Sequence, residues 1–340
     1  FSFVADHFQY LACLGPIALF VGTASSLGLL KGSMRMVIYM IVLLPLALLT
    51  LKQSGIYADA EVLYRTTIRE NTGCWMAYNN LGSLMAQSDR IDGAIAFYSK
   101  AIKIKPDFAI AQNNLSGALL RSGRIDEAFA HCLKAVEIDS NYADAHHNLG
   151  MLLEKTGRID EAIVQYRKEV EINPNNREAY NKLGNLLAST GRIDEAIVQY
   201  RKALKTDPDY SEAHCNLGNA FLKIGRTGEA IDHYFKAVAI KPDYEKAHTN
   251  LGIALLQTGR IDEAIAHYQR ALEISPNKTS AFQNLAVAYY QKGRQADAIL
   301  ILQRGLETAT SAGNESQANE ISRYLEMIKR PNGSIQQVPK

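Results

Sequence analysis

The feature that most constrains this chain is an internal repeat with a fixed period. The stretch TGRIDEAIVQYRK occurs at 156–168 and again at 190–202, so the two copies are 34 residues apart. A unit of this length is one supersecondary element, which cannot bury its apolar face without a neighbour. We therefore predict a stack of such elements. The leucine of an Asn-Leu-Gly-like tripeptide marks seven copies at the same period: Leu81, Leu115, Leu149, Leu183, Leu217, Leu251 and Leu285.

Each copy has the pattern of two helices joined by a tight turn. Apolar residues recur at helical spacing on both sides of a glycine such as Gly157. Glycine readily adopts the left-handed conformation that ends a helix, and Asp89, which replaces it in the first copy, also tolerates this geometry. An arginine follows, usually with Ile-Asp-Glu-Ala, whose acidic residues suit the positive end of the second helix. Proline closes five of the copies and ends that helix.

The order of small and aromatic residues resembles the tetratricopeptide repeat. Alanine lies 13 residues after the aligned leucine in every copy, and tyrosine lies 17 residues after it in five copies. The resemblance implies an all-α fold, a TPR α-solenoid built as a right-handed superhelix of helix-turn-helix repeats, with a concave groove for polypeptide partners. It covers residues 75–312, as repeats 1 to 7: 75–108, 109–142, 143–176, 177–210, 211–244, 245–278 and 279–312.

Two segments flank the repeats. Residues 53–74 keep the repeat phase at Ala60 and Tyr64, and they predict a half-repeat helix that joins the repeats directly to what precedes them. Residues 313–330 predict a capping helix with a polar outer face. Residues 331–340 predict a disordered tail.

Two uncharged runs near the N-terminus predict a transmembrane hairpin. Residues 10–30 form a run of 21, enough to cross a hydrocarbon core of about 30 Å as a helix. The second predicted span is 35–52, and its Pro45 is compatible with a membrane helix. The alternative is a buried hairpin of a soluble protein. Since residue 1 is Phe and no basic segment precedes the first run, we expect the C-terminal part of a longer chain rather than a signal peptide.

The connector between the two runs predicts the orientation. It carries Lys31 and Arg35, which by the positive-inside rule face the cytoplasm. The fringe at 1–9 and the repeats would then lie on the other side of the bilayer. We expect an integral membrane protein whose repeat domain is extracytoplasmic, in a periplasm or lumen.

Amide side chains on the first helix of each repeat predict a site for a peptide. The residue before the aligned leucine is asparagine in six repeats, and its amide both donates and accepts hydrogen bonds. This ladder is similar to the one lining the peptide-binding superhelix of O-linked N-acetylglucosamine transferase, which implies capture of a peptide through its main chain. The alternative is that these asparagines pack successive helices. The candidate groove residues are Asn79, Asn80, Asn113, Asn114, Asn148, Asn181, Asn216, Asn250 and Asn284.

Charge and composition argue against several other functions. Lys and Arg number 37 against 35 for Asp and Glu, so the net charge of +2 provides no basic excess for nucleic acid. The four cysteines share no metal-ligand spacing, and we expect small buried hydrophobic residues there. The repeated arginines are each followed closely by acidic residues, which predicts a solvated and locally neutralised turn. No catalytic motif is present, and we expect neither a cofactor nor catalysis by these residues.

The histidines predict packing rather than metal binding. His146, His214 and His248 share a position that is aromatic in other repeats, and we expect them to pack in the same way. His131, His233 and His267 share a position on the second helix, and we expect them to be solvated. We predict no metal site.

The residues before the first apolar run point to a second hypothesis. An Ala-Asp-x-aromatic-x-Tyr-Leu run, which includes Asp6 and Tyr10, resembles a segment of the transmembrane and tetratricopeptide-repeat O-mannosyltransferases and their bacterial relatives. The resemblance implies the acceptor-binding C-terminal arm of a multi-span, lipid-linked-sugar-dependent protein glycosyltransferase. Its catalytic residues would lie outside this chain. The first hypothesis remains a membrane-anchored scaffold that binds polypeptide partners.

Overall fold

The computed structural model describes residues 59–329, which form helices joined by short turns. In this range there are sixteen helices, and the first helix of each repeat starts at the first residue of that repeat. The all-α prediction is confirmed. The helices are α1 (Ala60–Glu70), α2 (Trp75–Gln87), α3 (Ile91–Ile104), α4 (Ala109–Arg121), α5 (Ile125–Ile138), α6 (Ala143–Lys155), α7 (Ile159–Ile172), α8 (Arg177–Ser189), α9 (Ile193–Thr206), α10 (Ser211–Lys223), α11 (Thr227–Ile240), α12 (Glu245–Gln257), α13 (Ile261–Ile274), α14 (Thr279–Gln291), α15 (Gln295–Ser311) and α16 (Glu315–Lys329).

The predicted membrane segments lie outside the described residues. This applies to the fringe at 1–9, the two spans at 10–30 and 35–52, and the tail at 331–340. Within 59–329, no helix combines the length and the hydropathy that a bilayer crossing requires. The hairpin and its orientation stay predictions.

Helix contacts divide the chain into two compact regions, with the boundary inside α4, between Ala118 and Leu119. In the N-terminal region, α1 packs on α2 and α2 packs on α3. The Trp75 and Phe108 rings meet edge to face there, with their centroids 4.3 Å apart. Ile68 of the half-repeat helix α1 packs against the buried cluster of Tyr78, Ala101 and Ala111, so α1 contributes to the core of repeat 1.

In the C-terminal region, each even-numbered helix from α6 to α14 is the first helix of a repeat and packs against the odd-numbered helix that follows it. We call these A helices and B helices. Successive A helices also touch directly, α8 with α10, α10 with α12 and α12 with α14. The A helices of repeats 4 to 7 therefore form a continuous layer, and the candidate site lies on this layer.

The turn between the A and B helices has the geometry that the sequence predicts. Gly157 has φ 77° and Asp89 has φ 58°, so both lie in the left-handed region. Arg158 donates two hydrogen bonds of 2.7 Å to the Glu161 carboxylate, which neutralises the arginine at the start of α7. The same Arg–Glu pair recurs in other repeats, which confirms the predicted neutralised turn.

The core follows the repeat period. The alanine column is fully buried, as at Ala196 and Ala230, and the tyrosines of the B helices are almost completely buried, as at Tyr200 and Tyr234. A residue without a bulky side chain lets the A and B helices approach closely, and the ring fills the space toward the next repeat. Cys132 and Cys215 are buried, as expected, whereas Cys74 is only half-buried.

The histidine positions are only partly as predicted. His214 and His248 are buried, in agreement with the packing prediction. The prediction that His233 and His267 are solvated is wrong, since both rings are half-buried and their Nδ1 atoms lie 2.9 Å from Nδ1 of His214 and His248, respectively. The Nε2 atom of His214 lies 3.0 Å from the Pro208 carbonyl oxygen. In 59–329 no group of three or more His, Cys, Asp or Glu side chains is arranged to hold a metal ion.

Candidate functional site

A large open cavity lies on the A-helix layer of the C-terminal region. Its volume is about 1200 Å³, and its walls come from α8, α10, α12 and α14, the A helices of repeats 4 to 7. Tyr200 and Tyr268 of the B helices reach its floor. We call this cavity the groove.

The part of the groove formed by repeats 4 and 5 is polar. Asn185 and Ser189 contribute from α8, and Asn216, Asn219 and Lys223 contribute from α10. Side-chain amides can bond both the N–H and the C=O groups of a polypeptide. This part of the wall therefore suits a main chain.

The part formed by repeats 6 and 7 is largely aliphatic. Ile253 and Leu256 of α12 and Val287 of α14 face the cavity there, and Gln257 and Gln291 add amides. Aliphatic side chains gain stability by removing apolar surface from water, by roughly 25 cal/mol per Å². This part of the wall therefore suits an apolar side chain of a ligand.

Two of the predicted groove residues line the cavity, Asn216 and Asn284. Asn216 also donates from Nδ2 to Asn181 Oδ1 at 3.0 Å, and in the N-terminal region Asn114 makes the equivalent bond to Asn79 at 3.0 Å. These bonds tie successive A helices together, so they support the packing role that the sequence left open. A role of the same amides in peptide binding stays a prediction.

The remaining predicted residues differ in accessibility. Asn79, Asn113 and Asn181 are buried, whereas Asn80 is exposed and Asn148 is half-buried. Asn250 is half-buried and donates from Nδ2 to Asn219 Oδ1 at 2.8 Å. None of these predicted residues is among those that line the groove.

Asn185 and Asn219 were missed by the sequence prediction. Each lies two residues after the aligned leucine, where the other repeats carry Ser, Gly, Met, Ile or Val. A position that varies so widely within an otherwise regular repeat is one whose side chain the helix packing does not determine, and this variation is the signal that would have found both residues.

Tyrosine hydroxyls from the B helices orient these two amides. Tyr200 donates to Asn185 Oδ1 at 2.8 Å, and Tyr234 donates to Asn219 Oδ1 at 2.7 Å. Burial raises the pKa of both tyrosines above the ordinary value, and the Cys215 thiol adds to this effect. The hydroxyls therefore stay protonated and act as donors at neutral pH.

Tyr268 occupies the same position in repeat 6 but has a different neighbour. Ile253 stands where repeats 4 and 5 have asparagine, and among the described residues no group accepts a hydrogen bond from the Tyr268 hydroxyl. The side chain is 1% exposed, yet it lines the groove. Burial raises the pKa of Tyr268, so the hydroxyl is a protonated donor on the groove floor.

Comparisons with known proteins agree with the observed helix pairs. A model described as TPR repeat matches residues 184–225, 218–259 and 254–293. Two models described as tetratricopeptide repeat match 107–175 and 44–107. No curated protein matches the chain.

The chain is also similar to several solved structures. The chain is 30% identical to MamA over 48% of its own length and 96% of the MamA chain, with a TM-score of 0.46. It is 27% identical to YrrB, a TPR protein with an unusual peptide-binding site, over 54% of its own length and 95% of that chain, with a TM-score of 0.47. The Pseudomonas aeruginosa pilF protein is 19% identical over 64% of this chain and 97% of its own, with a TM-score of 0.53, a likeness of fold.

These matches confirm the tetratricopeptide-repeat solenoid and give no support to the O-mannosyltransferase resemblance. The family models together span most of the chain. The chain belongs to the tetratricopeptide-repeat proteins.

Proposed function

We propose that this protein is a scaffold that binds a polypeptide segment in the groove of repeats 4 to 7. The observation that carries the proposal is the cavity of about 1200 Å³, which runs across four successive A helices and combines amide and aliphatic walls. Compact small-molecule pockets typically have volumes of about 300–1000 Å³. A site that is larger and crosses four helices suits an elongated ligand.

The chemistry of the walls favours polypeptide over other elongated ligands. The lining residues carry one charge, that of Lys223, so a polyanion such as nucleic acid has little to bind. Amides satisfy the main-chain groups of a bound segment, and the aliphatic part buries one of its side chains.

The test is a selection of random ten-residue peptides on the immobilised full chain, followed by hydroxyl-radical footprinting of the complex. We expect enriched peptides that protect side chains of α8, α10, α12 and α14. Protection confined to the B helices, or a selection without enrichment, contradicts the proposal.

Membrane anchoring is a further part of the proposal. It is supported by the uncharged runs at 10–30 and 36–51 and by the basic connector that contains Lys31 and Arg35. Membranes washed with carbonate should retain the protein, and protease should reach the repeats only from the extracytoplasmic side. Release by carbonate contradicts the anchor, and digestion from the cytoplasmic side contradicts the orientation.

The alternative is the acceptor-binding arm of a membrane glycosyltransferase. It is supported by the segment at 5–11, which lies outside the described residues, and the matched families do not favour it. The gene sequence upstream of Phe1 separates the two hypotheses. Several further spans with an acidic pair in an early extracytoplasmic loop favour the enzyme, and a start codon shortly before Phe1 contradicts it.

A further inference from the structure

The groove presents side-chain hydrogen-bond donors for which the described residues supply no acceptor. We infer that the groove selects an extended segment with main-chain carbonyls on Asn185 and Asn219, an aliphatic side chain on Ile253 and Val287, and an acidic residue about three positions away on Lys223. The inference rests on the proposed function, because it specifies the ligand of the same groove.

The direction of the Asn219 amide follows from its acceptor bonds. Its Oδ1 accepts from the Tyr234 hydroxyl at 2.7 Å and from Asn250 Nδ2 at 2.8 Å. A carbonyl oxygen has two lone pairs, and both are used. The amide is therefore held in one orientation, and its NH₂ group, which has no acceptor among the described residues, remains for a ligand.

Asn185 repeats this arrangement one repeat earlier. Its Oδ1 accepts from the Tyr200 hydroxyl at 2.8 Å, and its side chain is exposed on the groove wall. No described residue accepts from its NH₂ group. Repeats 4 and 5 thus present equivalent donors to a ligand at neighbouring positions.

Tyr268 provides a third donor, from the floor of the groove. Its hydroxyl reaches the open cavity, so an acceptor of the ligand can replace water there. Tyr268 is 1% exposed, it lines the groove, and its hydroxyl has no acceptor in the described part of the chain. Three donors in repeats 4, 5 and 6 therefore face the ligand, and an acceptor-rich strand of main chain fits them.

The aliphatic wall lies next to these donors. Ile253 replaces the oriented asparagine in repeat 6, and Val287 replaces it in repeat 7. Neither side chain can bond a main-chain group, so a ligand must place an apolar group there. A branched or long aliphatic side chain is the group that fits such a wall.

The positive charge of Lys223 on the groove wall favours an acidic residue in the ligand, close to the aliphatic residue. Lys223 is exposed on the groove wall, no carboxylate lines the groove, and no described residue forms an ion pair with Lys223. Packed helices lie about 8–10 Å apart, and an extended chain rises about 3.3 Å per residue. Groups that face α10 and α12 should then be about three residues apart in the ligand.

The experiment is the selection of random ten-residue peptides described above, with the enriched sequences as the readout. We expect Val, Ile or Leu paired with Asp or Glu three residues away, in one consistent order. Enriched peptides that footprint on the groove but lack this pair contradict the inference and leave the proposed function intact. No enriched peptide, or a footprint elsewhere, contradicts both.

Three variants test the contributions of individual residues to the affinity for an enriched peptide. Asn219→Asp keeps the oxygen that Tyr234 bonds but removes the NH₂ donor, so we expect about five- to tenfold weaker binding. Tyr268→Phe removes only an unpartnered hydroxyl, so binding should weaken about fivefold while the melting temperature does not fall. Lys223→Gln should abolish the preference for the acidic peptide over its Asn or Gln analogue.

The matched control is Tyr98→Phe. Tyr98 is the residue of repeat 1 that corresponds to Tyr268, and it lies outside the groove. Tyr98 donates to Ser83 Oγ at 3.1 Å in the N-terminal region, so this variant can lose stability but should not lose peptide affinity. Unchanged affinity in both Asn219→Asp and Tyr268→Phe overturns the inference. If one of these variants fails to fold, the inference is still tested by the other. It is also tested by comparing the acidic peptide and its Asn or Gln analogue on Lys223→Gln.

Discussion

The Tyr268 ring lies directly against the α-carbon of Gly252, so close that a Cβ built on the glycine would be 2.5 Å from Tyr268 Cε1. Gly184 with Tyr200 and Gly218 with Tyr234 repeat this contact. Where the tyrosine is absent, the glycine is also absent, since the last repeat has Ala286 and Leu302 at these positions. The ring and the missing side chain therefore form one structural unit.

Gly252→Ala should lower the free energy of unfolding by about 1–3 kcal/mol, because the methyl group displaces the Tyr268 ring. Denaturant unfolding measures this. The control is Gly228→Ala on α11, where no atom lies within 4 Å of the added Cβ, and stability should stay the same or rise by up to about 1 kcal/mol. Adding Tyr268→Leu to Gly252→Ala reproduces the last repeat and should restore part of the loss. Equal effects of the two single alanine variants would contradict the contact.

Gly191→Ala should destabilise the protein for a different reason. Gly191 has φ 81° and no atom within 4 Å of an added Cβ, so the cost of about 1–2 kcal/mol comes from the backbone conformation alone. Asparagine tolerates this conformation better, and Gly191→Asn should cost clearly less in the same unfolding measurement. An alanine variant as stable as the parent would show that the turn adopts another conformation.

The buried Glu169 carboxylate predicts an asymmetric response to mutation. It is 2% exposed, lies 2.9 Å from His147 Nδ1, and accepts from Asn176 Nδ2 at 3.2 Å. Five of the other six repeats have alanine at its position, as at Ala203, and the last repeat has Gly305. His147→Ala leaves the carboxylate short of a partner and should cost about 3 kcal/mol, whereas Glu169→Ala should stay within about 1 kcal/mol of the parent.

The double variant His147→Ala, Glu169→Ala provides the control. Its free energy of unfolding should match that of Glu169→Ala, because the histidine stabilises the fold only through the carboxylate. A double variant as unstable as His147→Ala would show instead that the imidazole ring contributes by packing.

The histidine pairs predict that stability falls on mild acidification. Burial, the facing His214 ring and Lys236 lower the pKa of His233 to about 4. The pKa of His267 is lowered mainly by burial and secondly by the facing His248 ring. In the unfolded chain these histidines take up protons near pH 6.5, whereas in the folded chain they do so only at lower pH. The free energy of unfolding is therefore highest above about pH 6.5 and decreases as the pH falls toward 4.

Melting temperatures between pH 7.5 and 5 check this prediction. Repeats 3 and 4 have glutamine at the position of His233, namely Gln165 and Gln199. The variant His233→Gln should therefore reduce the acid sensitivity and leave the stability at pH 7.5 little changed. An identical pH dependence of parent and variant would contradict the role of the pair.

The candidate site shows where sequence reasoning reaches its limit. The asparagine ladder led to Asn216 and Asn284, which line the groove, but Asn216 and Asn114 also bond the preceding repeat. The oriented donors at Asn185 and Asn219 depend on hydroxyls that come from the partner helix of the same repeat. An alignment of the repeats does not show which side-chain oxygen accepts a hydrogen bond from which hydroxyl.

The sequence by itself determined the helix pairs, the turns and the buried columns, because a 34-residue period repeats the same local preferences and the same core contacts. Only the tertiary structure decided which amides face the groove, that no residue in 59–329 accepts from the Tyr268 hydroxyl, and that His233 faces His214. These features depend on distances between side chains of different helices. The packing of the helices sets those distances, and single-residue exchanges within the repeat alter them without disturbing the period.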